Sequence, residues 1–344
     1  MAGRGQHYIP RFLQREFICN NQEQVYFYSK IKNEVIKVNI SKVGVGRDFY
    51  SVPEDTYLDD VITENENKII YPLIDVLRSL DSDDIIDRNT AITLISHFIT
   101  RTKYIRDLCS EVFKSTLDIL ESQIATKKAE EEFIKNLVES NMFKEDLKKE
   151  FKQQKLIPDD LFINSLCAQM VKNPNEFPIL NQAIKAMKTV YQKLQNDHHE
   201  MVKKSHKKAL TNLLESSDTK YDQYENFIWH LKIYPDDSII LSDNIAMTYN
   251  TETKQVYPPF FTNKDNNTQI YMPISHNKLL VGTQNNSPIL EIDQINEYMI
   301  SISSNFFIAS IFNEEHKHQI QLIGNNLREQ IQQEILEASK NMFN

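Results

Sequence analysis

Cysteine is scarce in this sequence. The 344 residues include only three, Cys19, Cys109 and Cys167, which lie far apart. They form no C-x-x-C pair, so their spacing indicates neither a zinc site nor a redox pair. A reducing compartment fits such a chain best, and we expect a cytoplasmic protein.

Long apolar runs are also lacking. No uncharged apolar stretch reaches the roughly 18 residues that a membrane helix needs, and residues 1–10 lack the apolar segment of a secretory signal. We therefore expect no membrane partner. Nothing in the sequence specifies an oligomeric state.

Glycine is rare as well, which bears on phosphate binding. The chain has six glycines and no G-x-x-x-x-G-K-[ST] motif, and Gly44-Val45-Gly46 lacks the third glycine of a dinucleotide fingerprint. With 48 acidic and 39 basic side chains the formal charge is −9, which disfavours nonspecific coating of DNA. A nucleotide or nucleic-acid partner would therefore need basic residues gathered in one groove.

Strand patterns occur near both ends of the chain. Residues 24–40 predict a hairpin around a polar turn at 30–33, and a short helix beginning at Pro10 precedes it. Short β-prone segments separated by Pro, Asn, Asp and Gly recur across residues 226–282. An isolated hairpin is only marginally stable in water, so residues 24–40 should dock beside these later strands.

Helical periodicity fills most of the remaining chain. An apolar stripe begins at Glu66, and a second helix is predicted from Ile85 past Leu120. Residues 181–215 form a further long helical stretch, and two last helices are predicted at 291–312 and 319–340.

These patterns predict a mainly helical α+β fold, with a small mixed or antiparallel sheet built from the N- and C-terminal segments around a long helical insert. We expect one elaborated domain over residues 1–344. Its parts are an N-terminal motif and hairpin at 1–60, the helical insert at 66–215, and a strand-rich segment followed by C-terminal helices at 226–344.

The most distinctive segment lies near the N-terminus and reads His7-Tyr8-Ile9-Pro10-Arg11-Phe12-Leu13-Gln14-Arg15-Glu16-Phe17. It resembles the opening of a bacterial family known as domain of unknown function 4238, H-Y-[IVL]-P-x-[FY]-L-x-x-F. The likeness extends to Asp48-Phe49-Tyr50, Glu64 or Glu66, Thr100-Arg101-Thr102 with Arg106, Ser242-Asp243-Asn244 and Met272-Pro273-Ile274-Ser275. The chain has Arg11 where the family usually has Gln, and Ile245 where Pro usually follows Ser-Asp-Asn. The resemblance implies a shared fold and a link to antiviral-defence neighbourhoods in bacteria, but no particular activity.

Polar residues from both ends and from the first long helices would converge if the chain folds back on itself. We predict catalytic roles for His7, Glu66, Arg101 and Asp243, and substrate-binding roles for Arg15, Arg106 and Asn244. A histidine can transfer protons near neutral pH, a carboxylate can act as a base or a metal ligand, and arginines bind phosphate through forked hydrogen bonds. The sequence specifies no set of metal ligands, although this chemistry would admit a divalent metal ion as cofactor.

Each of these residues also has a purely structural interpretation. Arginines on long helices are most often solvated or paired with a neighbouring helix, and Asp243 and Asn244 are common turn residues that bond nearby backbone. Arg101 and Arg106 project roughly 140° apart on a helix. We expect Arg101 to point inward, held by a carboxylate such as Glu66, and Arg106 to lie nearer the surface.

Two functions therefore compete. One is a phosphodiester- or nucleotide-processing enzyme linked to antiviral defence, with a nucleic acid or nucleotide as its partner. The alternative is a non-enzymatic sensor or binding module that acts through its helical insert.

Overall fold

The structure is a computed structural model of the chain. It describes residues 5–50, 56–122, 125–215, 224–234, 238–258, 267–284 and 287–326. The chain divides into two compact units, one made of residues 1–109 and 203–344 and the other of residues 110–202. The second unit begins and ends inside the helical insert predicted over 66–215.

Twelve strands lie in the described ranges of the first unit. They are β1 (Gly5–His7), β2 (Gln24–Ser29), β3 (Glu34–Asn39), β4 (Val45–Arg47), β5 (Asp84–Ile86), β6 (Ile228–Ile233), β7 (Leu241–Ser242), β8 (Met247–Asn250), β9 (Val256–Tyr257), β10 (Thr268–Ser275), β11 (Lys278–Thr283) and β12 (Phe306–Ala309). They form three antiparallel sheets with the strand orders β1-β4, β5-β6-β11-β10-β8-β9 and β3-β2-β12-β7. The fold is therefore α+β, as predicted.

Helices account for most of the other described residues. They are α1 (Arg11–Gln14), α2 (Tyr57–Asn65), α3 (Tyr71–Ser79), α4 (Arg88–Ile99), α5 (Lys103–Ser122), α6 (Lys127–Glu139), α7 (Asn141–Gln153), α8 (Asp160–Lys172), α9 (Pro178–Glu215), α10 (Ile292–Ile302) and α11 (Glu314–His318). In the described ranges, none of them is both long enough and apolar enough to cross a membrane. The long helix predicted over 181–215 is confirmed by α9.

The predicted hairpin is confirmed, but its neighbours differ from the expectation. Strands β2 and β3 pair in register from Gln24 opposite Asn39 to Ser29 opposite Glu34. Strand β2 then pairs with β12, whereas the predicted partners lay within residues 226–282. Among the described residues of that range, only those of β7 join this sheet, on the far side of β12.

Strand β12 corrects the helix predicted over 291–312, since α10 ends at Ile302. The backbone N–H groups of Ser304 and Asn305 donate to the carboxylate of Asp243, at 2.7 and 2.8 Å, instead of continuing the helix. Phe306 and the aromatic and β-branched residues after it then favour a strand. Most of the last predicted helix, residues 327–340, lies outside the described residues.

A second helix prediction is also corrected. Residues 84–86 form the edge strand β5 instead of opening a helix, and the helical stretch that follows is interrupted at residues 100–102. The hydroxyl of Thr100 donates to the carbonyls of Ser96 and His97, which competes with regular helical bonding at this point. The break separates α4 from α5, just where Arg101 leaves the helix.

The second unit is built from helices with conventional N-caps. The side chains of Thr126, Ser140 and Asp159 accept a backbone N–H three residues later, which satisfies otherwise unpaired donors at the helix starts. One apolar cluster in it consists of Ile134, Val138, Ile163, Cys167, Met170 and Leu180, and a second, smaller one is formed by Leu117 and Tyr191.

Candidate functional site

A cavity of about 420 Å³ in the first unit lies beside the N-terminal strand β1 and the helical stretch 57–79. The residues that line it are Gly5, Gln6, His7, Pro10, Arg11, Phe12, Arg15, Asp59, Ile62, Thr63, Glu66, Asn67, Tyr71 and Arg101. The fold thus brings His7, Arg15, Glu66 and Arg101, four of the seven predicted site residues, to one cavity.

His7 is held at the cavity by the short ladder between β1 and β4. It pairs with Val45, and the adjacent Gly44 accepts backbone N–H bonds from Tyr8 and Ile9. Gly44 has φ +59°, and a Cβ there would come within 2.8 Å of the Ile9 side chain, so this close approach requires glycine.

One hydrogen bond determines the tautomer of His7. Its Nδ1 lies 3.1 Å from the carbonyl oxygen of Val43. A carbonyl can only accept, so Nδ1 carries the proton and Nε2 is the acceptor nitrogen of the ring. Burial lowers the pKa of His7 below its usual value of 6.5, and the imidazole is therefore neutral at pH 7. A neutral imidazole of this tautomer can accept a proton at Nε2.

Glu66 reaches the cavity from an irregular helical turn. Residues 66–70 form a π-helical turn between α2 and α3, in which the N–H of Tyr71 donates to the carbonyl of Glu66 five residues earlier. Pro72 follows and has no N–H to donate, so regular α-helical bonding cannot continue there. Single π turns inside α-helices are frequent at functional sites.

Arg101 joins the elements around the cavity. Its Nε donates to the Tyr50 hydroxyl at 3.1 Å and its Nη2 to the carbonyl of His7 at 2.8 Å. Its Nη1 donates to Glu66, and the two side chains are only 5% and 17% exposed. The prediction that Arg101 points inward and is held by Glu66 is confirmed.

His97 completes this buried group as a neutral acceptor. Its Nε2 lies 3.2 Å from Nη1 of Arg101 and 3.5 Å from Glu66. A guanidinium can only donate, so Nε2 must accept from Arg101 and cannot also donate to Glu66. Burial lowers the pKa of His97 to about 3, which agrees with a neutral ring. The charge of Glu66 is therefore balanced by Arg101 alone within this group.

A different arrangement holds the two other arginines that line the cavity. Nη2 of Arg11 and Nε of Arg15 lie 3.2 and 3.3 Å from the two carboxylate oxygens of Glu23. These side chains are 40% and 51% exposed, and that of Glu23 is 41% exposed. Two cations thus share one carboxylate in contact with water.

Asp59 is a cavity residue that the sequence reasoning missed. The Gln6 side-chain oxygen accepts the backbone N–H of Tyr50 at 2.6 Å, so the Gln6 amide group is left to bond Asp59. Burial raises the pKa of Asp59, and the bond from Gln6 and the charge of Arg101 oppose that rise. A carboxyl group of this kind can hold a proton more readily than an ordinary aspartate.

An aromatic pair forms another part of the cavity lining. The rings of Phe12 and Tyr71 are 5.7 Å apart in an edge-to-face arrangement, and Tyr71 is 45% exposed. A partly exposed aromatic ring beside arginines is the combination that single-stranded nucleic-acid sites use to stack bases and bind phosphates.

A comparison with known families gives a match over most of the chain. The family model described as "Protein of unknown function (DUF4238)" matches residues 5–334. The chain belongs to this family. It matches no curated protein and no solved structure.

In this member of the DUF4238 family, Asp243 and Asn244 are buried and are not among the residues lining the described cavity. Asp243 accepts the N–H groups of residues 304–306, and burial raises its pKa to about 6 although those bonds oppose the shift. The side-chain amide of Asn244 donates to the carbonyl of Ile302. Both side chains bind the segment that leads from α10 into β12.

Arg106 of this DUF4238 protein is partly buried and thus lies nearer the surface than Arg101, as expected, but it makes more contacts than a surface side chain would. Its guanidinium lies 3.8 Å from the centre of the Phe49 ring and donates to the Phe49 carbonyl. Nη2 is also 3.5 Å from Nδ1 of His206, a residue only 3% exposed. Burial lowers the pKa of Arg106. The helical angle assumed one continuous helix, whereas the helix is broken at residues 100–102, and Phe49 packs against the Arg106 guanidinium.

Metal ligands of the usual kind are not gathered anywhere in the part of this DUF4238 chain that the structure describes. No three His, Cys, Asp or Glu side chains there lie in positions to hold one ion. The two cavity carboxylates, Asp59 and Glu66, are separated by about two turns of helix and make the separate contacts given above.

Proposed function

We propose that the cavity is the active site of an enzyme that acts on phosphodiesters or nucleotides, with His7 as its general base. The observation that carries this proposal is the hydrogen bond from His7 Nδ1 to the Val43 carbonyl, at 3.1 Å. It makes Nε2 the acceptor nitrogen of a ring that burial keeps neutral. A neutral imidazole can take the proton of an attacking water or hydroxyl group.

The neighbouring residues supply the other functions that such a reaction needs. Arg15 binds a phosphate group through the N–H groups of its guanidinium. Asp59, with its raised pKa, protonates the oxygen that leaves phosphorus when the new bond to the attacking oxygen forms. The aromatic rings of Phe12 and Tyr71 receive the base of a nucleotide.

The other predicted residues have supporting roles in this proposal. Arg101 is a positioning residue, because it donates to the His7 carbonyl and is neutralised by Glu66. Asp243, Asn244 and Arg106 bind backbone groups, and we assign them to the stability of the fold and not to contact with substrate.

The test is a turnover assay on the full chain. Substrates are nucleotides and single- and double-stranded DNA and RNA, each with and without Mg²⁺ or Mn²⁺. The variant His7→Asn keeps a donor for the Val43 carbonyl but lacks Nε2, so it should lose turnover by about a hundredfold or more. His198→Asn is the matched control, because His198 Nδ1 also bonds a backbone carbonyl, that of Gln195 at 3.0 Å. Turnover that survives His7→Asn would remove His7 from the mechanism.

A role in bacterial antiviral defence, which the resemblance implies, forms part of the same proposal. Such a role would require the cavity to be catalytically active inside the cell. Plaque counts on a bacterial host that expresses the wild type or His7→Asn test it, and equal protection by both would separate any defence role from this site.

The second candidate is a binding module that acts through the helical insert, within which the second unit, residues 110–202, lies. Six large apolar side chains in the described part of that unit are between 50% and 89% exposed: Val190 and, within residues 142–162, Met142, Leu156, Ile157, Leu161 and Phe162. Exposed apolar groups clustered in sequence are typical of association surfaces. Sedimentation velocity over a concentration series, with Leu161→Glu for comparison, tests self-association. A wild type that is monomeric throughout would exclude self-association as the use of this surface.

A further inference from the structure

The turn that carries Glu23 delivers its carboxylate to Arg11 and Arg15. Glu23 has φ +52°, a left-handed conformation that is uncommon for residues other than glycine. The turn is held on both sides, because the Glu23 carbonyl accepts the N–H of Ile40 at 3.0 Å and the Asn20 side chain accepts two backbone N–H groups nearby. The backbone therefore fixes where this carboxylate lies.

Arg11 and Arg15 are four residues apart in the helical stretch 11–17, so their side chains lie on one face and repel each other. In the described part of the chain, Glu23 is the acceptor that each of them contacts, through a single nitrogen of each guanidinium. The remaining N–H groups of these two residues exceed what one carboxylate can accept.

These ion pairs are weak enough to exchange. Pairs of this exposure gain little because water and salt screen them. A phosphoryl group carries more negative charge than a carboxylate and offers more acceptor oxygens to a forked guanidinium. At a cavity mouth with two arginines, a phosphate should therefore displace a single carboxylate.

We propose that Glu23, which is not itself among the residues lining the cavity, occupies a phosphate-binding subsite beside the cavity in the absence of ligand, and that a phosphoryl group displaces it to bind the lining residues Arg11 and Arg15. This inference deepens the proposed function and rests on its cavity, but it concerns binding and not His7. A simpler role, in which Glu23 only positions the arginines, predicts the opposite effect of removing its charge.

The experiment is titration calorimetry of the full chain with inorganic pyrophosphate at low ionic strength. Glu23→Gln should bind pyrophosphate about tenfold more tightly than the wild type, the size expected from the loss of two exposed ion pairs. Glu34→Gln is the control, because Glu34 forms a comparable pair with Lys32, at 3.4 Å and 44% exposure, and its loss changes the net charge equally. That control should stay within about twofold of the wild type.

Unchanged or weaker binding by Glu23→Gln, or no binding by either protein, would overturn the proposal. A double variant, Glu23→Gln with Arg15→Gln, should lose the gain while its thermal unfolding stays close to that of Glu23→Gln. Failure of this inference can be told from failure of the proposed function. Tighter pyrophosphate binding by Glu23→Gln together with normal turnover by His7→Asn would contradict only the catalytic role of His7. Unchanged or weaker binding by Glu23→Gln together with loss of turnover by His7→Asn would contradict only the phosphate subsite.

Discussion

Arginines on the same cavity fall into two groups that behave differently. Arg101 is 5% exposed and bonds Glu66, His97, Tyr50 and the His7 carbonyl. Arg11 and Arg15 are 40% and 51% exposed and share Glu23. Removing one partner of a buried pair leaves an uncompensated charge, whereas exposed pairs contribute little. Burial therefore makes Arg101 part of the framework and leaves Arg11 and Arg15 available to a ligand.

The largest effect should come from Arg101→Ala. The change leaves the Glu66 carboxylate without its ion-pair partner and removes the donors to Tyr50 and His7. It should therefore lower the free energy of unfolding by about 3 to 5 kcal/mol. Arg15→Ala should change it by no more than about 0.5 kcal/mol. Urea denaturation measures both, and equal losses would erase the distinction between the two groups.

The variant Asp243→Asn tests how much stability is lost when a buried charge held by backbone N–H groups is removed, for comparison with Arg101→Ala. Both carboxylate oxygens of Asp243 accept N–H groups, so an asparagine must turn its own NH₂ toward a donor. We expect a loss of about 1 to 3 kcal/mol in the free energy of unfolding. Thermal unfolding of Asp243→Asn beside Asp84→Asn, a change on the exposed edge strand β5, measures it, and similar melting of the two would contradict this account.

The loss of stability caused by Arg106→Ala should lie between the losses caused by Arg101→Ala and by Arg15→Ala. It removes the contact with the Phe49 ring and the bond to the Phe49 carbonyl, and we expect a loss of about 1 to 2 kcal/mol in the free energy of unfolding. Urea melts compare it with Arg15→Ala. A loss as small as that of Arg15→Ala would show that the contacts of Arg106 with Phe49 contribute no more to stability than an exposed ion pair.

Acid should lower the stability of the fold, because His97 and His206 are buried as neutral side chains. Burial lowers the folded-state pKa of His97 to about 3 and of His206 to about 4, so between about pH 6.5 and 4 the unfolded chain binds protons that the folded chain does not. Stability is then lost as the pH falls. Asp243, with its pKa raised to about 6, acts in the opposite direction and offsets one histidine.

The three groups together predict a net loss of about 1.4 kcal/mol per pH unit near pH 5. In His97→Gln, the amide oxygen can still accept from Arg101, and the slope should be smaller by about the same amount. Urea melts at several pH values measure both slopes. An unchanged slope in His97→Gln would mean that His97 is not the buried neutral acceptor described above.

Local patterns predicted the parts of the fold in which neighbours in sequence decide the structure. The hairpin at 24–40 and the long helix both follow from periodicity and turn residues. Strand β12 did not, because the Asp243 carboxylate that ends α10 comes from about sixty residues earlier in the chain. A contact of that separation leaves no local pattern in residues 291–312.

Asp59 was missed for a different reason. Leu58 and Ile62 are buried in α2, and Ile70 and Ile74 are buried further along the chain. In a regular α-helix, the eight residues from Ile62 to Ile70 would place Ile70 about 80° away from the face that carries Ile62. The π turn at 66–70 absorbs this difference. Since a regular stripe begins only after the turn, the sequence reasoning started the helix at Glu66 and left Asp59 outside it.

The most direct test of the catalytic account is the pH dependence of turnover with the best substrate from the panel. If neutral His7 is the base, protonation of His7 should lower the rate at acid pH, with a midpoint below 6.5, because burial lowers the pKa of His7 from that value. The residual rate of His7→Asn should show no such fall. A wild-type profile without an acid limb, or one that His7→Asn reproduces, would contradict the assignment of His7 as the base.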